Sequence, residues 1–100
     1  MRTAISSNYL AMLAHTELQA HVNQNCEFTV YNITRALRAS HRNLEIPHAP
    51  IRALVHQYMS GVINSGHYQA CLTDFGGRIA ILYTPMMMLA VLDLSLLHVN

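Results

Sequence analysis

The run His67–Pro85, HYQACLTDFGGRIAILYTP, decides how this chain folds. Tyr68, Ala70 and Leu72 alternate with Gln69, Cys71 and Thr73, while Ile79, Ile81 and Tyr83 alternate with Ala80 and Leu82. A spacing of two is the period of a strand. Gly76-Gly77 divides the two runs, and paired glycines supply the positive φ that a two-residue hairpin turn requires. With those glycines at the turn, Phe75 pairs with Arg78, Leu72 with Ile81 and Ala70 with Tyr83. Leu72, Ile79, Ile81 and Tyr83 then share one face, the arrangement of a half-buried hairpin. Pro85 closes the second strand, because it has no N–H to add to a ladder.

Upstream of His67 the rhythm is helical. Ser6, Ser7 and Asn8 are helix-starting residues, and Leu10, Leu13, Ala14, Leu18 and Val22 follow at spacings of three and four. They predict a first helix to about Asn23, broken by Asn23-Gln24-Asn25. Glu27-Phe28 reads as a short extended step. Thr29 is an N-cap, and Val30, Ile33 and Leu37 carry a second stripe over about Val30–Ala39. The polar stretch Ser40–Glu45 ends it. Pro47 and Pro50 stand where a third helix begins, since a first turn tolerates proline. Ile51, Leu54, Val55 and Tyr58 form its apolar face, and it ends at Gly61 or at Asn64-Ser65-Gly66. Beyond Pro85, Leu89, Leu92, Leu96 and Val99 recur every three or four residues and predict a fourth helix.

The totals agree with one small domain. The chain has 100 residues, enough for a single core. Apolar residues make up 52% and charged residues only 11%, against a usual quarter. So charge-poor a surface points to a partner or a self-association face. Lysine is absent, and the six cations are all arginines, whose planar forks suit phosphate oxygens and guanine edges. The net charge is only +1, but seven histidines titrate near neutrality and add positive charge beside phosphates. Cys26 and Cys71 are too few for a disulfide framework and read as buried thiols. Met1–Asn8 lacks the order of a secretory signal, and Met86–Leu97 is short for a membrane span, so a cytoplasmic location is expected.

Catalysis has little support in the sequence. No nucleophile stands beside a base and an orienting acid, and no phosphate-cradling glycine loop occurs. His15 and His21 are six apart and His48 and His56 eight apart, so neither pair reads as falling on one helical face. No metal, cofactor or small-molecule ligand is indicated.

The arginines carry more. Arg35 and Arg38 lie three apart, with Arg42 at the second helix's exit, opposite Val30, Ile33 and Leu37. The third helix presents Ala49, Arg52, Ala53, His56 and Gln57 away from its apolar face. The two alanines permit close approach, and Arg52, His56 and Gln57 can donate to base edges. An ordinary solvated exterior is the competing reading of both faces. Arg78 sits at the hairpin tip. The apolar run after Pro85 cannot bury every face on so small a body. It reads as a dimerisation helix through Leu89, Leu92 and Leu96; packing against the first helix and a membrane or longer-chain segment are the alternatives.

The segments FTVYNITRALRA (28–39), IPHAPIRALVHQYM (46–59) and YQACLTDFGGRIAILYTP (68–85), preceded by the helix Tyr9–Gln24, resemble the winged helix-turn-helix superfamily of small prokaryotic, archaeal or phage DNA-binding proteins. The resemblance is to an order of elements: three helices, then a hairpin wing. It implies an α+β winged-helix domain over 1–85, with 86–100 as the dimerisation helix. It implies that the third helix enters the major groove of double-stranded DNA, reading bases through Arg52, His56 and Gln57. Arg35, Arg38, Arg42 and Arg78 would hold phosphates, and a homodimer would regulate transcription. Winged helices also serve as protein-binding modules, and that is the alternative for a chain so poor in charge. An enzyme would need a pocket that a core of this size hardly encloses.

Overall fold

The computed structural model describes residues 2–86. In chain order the elements are β1 (Thr3–Ala4), α1 (Ser7–Asn23), β2 (Phe28–Thr29), α2 (Val30–Ser40), β3 (Leu44–Glu45), α3 (His48–Asn64), β4 (Tyr68–Phe75) and β5 (Arg78–Pro85). The fold is α+β: three helices against a three-stranded antiparallel sheet, with β5 between β2 and β4.

Local chemistry accounts for the helix boundaries. Ser6 is extended, and its hydroxyl accepts from the Tyr9 amide to open α1. Thr29 opens α2 with a reciprocal cap: its hydroxyl accepts from the Asn32 amide, and the Asn32 side chain accepts from the Thr29 amide at 2.8 Å. At the head of α3, Pro47 is the N-cap and offers no side-chain hydrogen bond. Of the two ends expected for α3, the later one holds. The helix runs through Gly61 to Asn64, and Gly66, at φ +83°, takes the left-handed turn beyond it.

The hairpin has the register read from its glycines: Phe75 opposite Arg78, Leu72 opposite Ile81, Ala70 opposite Tyr83. Gly76 and Gly77 have φ of +62° and +83°, the left-handed conformation demanded at both centres of the turn. The Asp74 carboxylate accepts from the Gly77 amide and fastens the corner. The extended step at Phe28 is a true strand, with Phe28 opposite Tyr83 and Thr29 opposite Leu82.

The core lies where the helices meet the base of the hairpin. Leu10, Ala14 and Leu18 of α1, Ile33 and Leu37 of α2, and Ile51, Val55 and Met59 of α3 close on Phe28, Tyr68 and Tyr83. Tyr68 is buried, and its hydroxyl donates to the Cys26 carbonyl at 2.7 Å, tying β4 to the turn that follows α1.

Four expectations need correction. The face of Leu72, Ile79, Ile81 and Tyr83 is buried only at its base: Tyr83 is in the core, but Leu72 is 77% and Ile79 79% exposed. The eight-residue strands outrun the helices available to cover them, so the outer half of the hairpin stands in solvent. Cys26 and Cys71 are free thiols but only partly buried. The amino-terminal segment, to which the sequence assigns no element, pairs in parallel through β1 with β3, Thr3 opposite Leu44 and Ala4 opposite Glu45. That pairing joins residues 41 apart in sequence, beyond any local pattern. His48 and His56 are not divided between faces of α3, as shown below. The helix expected after Met86, with Leu89, Leu92 and Leu96, lies outside the described residues. No helix among the described residues is long and apolar enough to cross a membrane.

Candidate nucleic-acid interface

Side chains on α3 repeat every 3.6 residues, so positions four apart drift only slightly around the axis. His48, Arg52 and His56 are such a series. All three line one cleft, walled on its far side by the hairpin through Phe75 and Arg78 and at its end by Tyr31 of α2. Its volume is about 400 Å³. A spacing of eight, taken between histidines alone, conceals that Arg52 stands midway and that the hairpin faces all three.

The histidines are held by their neighbours. His48 Nδ1 is 2.9 Å from the hydroxyl of the buried Thr34, and His56 Nδ1 is 3.0 Å from the hydroxyl of the buried Tyr83. Burial, then the charges of Arg52 and Arg38, hold the His48 imidazole below its ordinary value of 6.5. Burial pushes the Tyr83 phenol above its usual range, so it stays protonated beside His56. No carboxylate lines the cleft among the described residues. Asp74, which is near in sequence, is engaged with the turn amide. The result is a recess whose described lining carries two exposed arginines and no carboxylate, beside the amino-terminal end of α3.

The other expected residues are placed unequally. Arg35 of α2 and Arg42 of the turn after it are exposed. Arg38 is solvent-accessible too, but its Nε and one terminal nitrogen donate to the Ile46 carbonyl at 3.0 and 2.8 Å. That fork pins the connection between α2 and α3, which makes its first task structural. Gln57 is exposed on α3 but leans away from Arg52, over a groove formed with α1 by Met12, His15 and Tyr58. Thus Arg52, His56 and Arg78 converge, whereas Gln57 does not join them. Between the two sides, Ala49, Ala53 and Ser60 leave a low, exposed face on α3.

Three residues of the cleft went unassigned in the sequence reading: Tyr31, His48 and Phe75. Each left a signal. His48 precedes Arg52 by four; Tyr31 precedes Arg35 by four and lies off the α2 apolar stripe; Phe75 adjoins the hairpin turn opposite Arg78. Tyr31 and Phe75 meet with ring centroids 5.5 Å apart, a contact between elements that no one-dimensional spacing announces.

Among the described residues, no three His, Cys, Asp or Glu side chains come together as metal ligands do. No protein-family model, curated protein or solved structure matches this chain.

Proposed function

We propose that the chain is a winged-helix protein that binds double-stranded DNA, with α3 in the major groove and the β4–β5 hairpin against the flanking backbone. The observation that carries the reading is the convergence of Arg52, Arg78, His48 and His56 on one cleft between α3 and the hairpin, which no carboxylate lines among the described residues. Phosphate contacts supply affinity and base contacts specificity. Arg52, Arg78 and the exposed Arg35 and Arg42 serve the backbone, and the low Ala49–Ala53 face lets α3 approach the base edges. The protein acts as a cytoplasmic homodimer that regulates transcription; its charge-poor composition and the apolar sequence after Met86 support self-association. The reading is of a binding protein and assigns no chemical step.

The test is fluorescence anisotropy on a random-sequence duplex across a salt series. Binding that weakens log-linearly with salt is expected, and Arg52→Ala and Arg78→Ala should each flatten the slope by about one. Absence of binding at low salt and mildly acid pH would rule the reading out.

A second reading has one specific observation in its favour: the apolar outer half of the hairpin, where Leu72 and Ile79 are exposed. A protein-interaction winged helix would use that face. Under this alternative Leu72→Thr with Ile79→Thr abolishes partner capture, whereas Arg35→Glu with Arg78→Glu leaves it intact.

A further inference from the structure

We propose that the cleft between α3 and the hairpin is a nucleotide pocket, taking a phosphate between Arg52 and Arg78 and an unstacked base on the Tyr31–Phe75 pair. The inference rests on the DNA reading and names the part of the nucleic acid that the cleft holds. Two observations of different kinds meet in one place. The walls carry cations without a carboxylate among the described residues, the chemistry of an anion site. The rim carries two aromatic rings that remain 46% (Tyr31) and 47% (Phe75) exposed although they touch each other. Half-exposed rings beside arginines offer flat apolar area next to positive charge. The ligand that satisfies both at once is planar and apolar at one end and anionic at the other, which is a nucleoside phosphate. Base–aromatic stacking with a cationic groove is how proteins hold unpaired nucleotides.

Size points the same way. A recess of about 400 Å³ exceeds the needs of a lone phosphate and falls among small-molecule pockets, about 300–1,000 Å³. The phosphates of an unbroken duplex ride on its outside and leave such a recess unfilled, whereas a base turned out of the stack enters it. The nucleotide has two sources: one belonging to the bound DNA and one free in solution.

Three probes separate the sources: a fully paired duplex, the same duplex with one bulged 2-aminopurine nucleotide, and free deoxyadenosine monophosphate. With the full-length wild-type protein, the bulged duplex should bind about tenfold more tightly than the paired one, the scale of one stacked base. Its 2-aminopurine emission should be quenched on binding. Tyr31→Leu with Phe75→Leu keeps apolar cover but removes the flat rings. It should erase the tenfold preference of bulged over paired duplex while leaving circular dichroism unchanged. Tyr31→Phe with native Phe75 should retain the preference. Equal affinity for bulged and paired duplex, or a preference that survives the double leucine variant, overturns the pocket and leaves the DNA reading standing. Saturable binding of the free nucleotide, lost in the leucine variant, without binding of either duplex overturns the DNA reading and supports the pocket. No binding of any probe overturns both.

Discussion

Two helical arginines, Arg38 of α2 and Arg52 of α3, do different work. Arg38 closes a fork on the Ile46 carbonyl, and Arg52 stands exposed at the mouth of the cleft. Arg38→Ala should therefore cost about 1–2 kcal/mol of stability, the lower range for a charge-assisted bond whose head is wet, and leave the salt slope of DNA binding unchanged. Arg52→Ala should do the reverse, with stability within about 0.5 kcal/mol of wild type in urea unfolding. His48 makes the site sensitive to pH, and its sign follows from its surroundings. Its value is lowered by burial and by Arg52 and Arg38, so the unfolded chain takes up the proton more readily. Stability is full above 6.5 and falls as the pH drops from there toward the lowered value. Binding runs the other way, because an anion in the cleft offsets the two arginines and favours the imidazolium. Affinity should climb as pH falls through the same window. His48→Asn, keeping a partner for Thr34, should reduce proton uptake on binding by up to about one, read from affinity against pH.

Among the elements, the hairpin is the one whose halves obey different rules. Its base is core, through Tyr68 and Tyr83; its outer half is surface, through Leu72 and Ile79. Leu72→Thr with Ile79→Thr preserves strand propensity and should change stability by no more than about 0.5 kcal/mol per site. The same face, if packed, would lose several times that. The turn is less forgiving. Gly77 sits at φ +83°, and a β-carbon there strains the backbone although space around it is open. Gly77→Ala should cost about 1–2 kcal/mol in urea unfolding and, by loosening the tip that carries Arg78, weaken DNA binding further.

At the scale of the whole molecule, the layout suits a chain with a net charge of +1 to the proposed anion site. Charge is segregated rather than abundant: Glu17 lies beside His21 on α1 at 3.5 Å, Glu27 precedes β2, Glu45 is on β3 and Asp74 is tied to the turn, and none of these four lines the cleft. A two-fold dimer would double the cationic surface and set two α3 helices on one side of a duplex. In the proposed homodimer, Leu92→Ser with Leu96→Ser should give a monomer in sedimentation and weaken duplex binding because half-sites bind poorly.

What the residues determined unaided was everything within reach of a turn. Thr29 capped a helix, Gly76-Gly77 set the register of sixteen strand residues, and the apolar stripes marked which face of each helix goes inward. These signals are legible because they depend on separations of four residues or fewer along one chain segment. Only the tertiary structure decided which side chains meet. The approach of the hairpin to α3 joined Arg78 to His48, Arg52 and His56; the packing of α1 drew Gln57 to the other side; the carbonyl of Ile46 claimed Arg38; and residues 3–4 found residues 44–45. Such meetings depend on how far separate elements travel and at what angle they pack, and on where a long flexible side chain finds its partner. Periodicity carries neither.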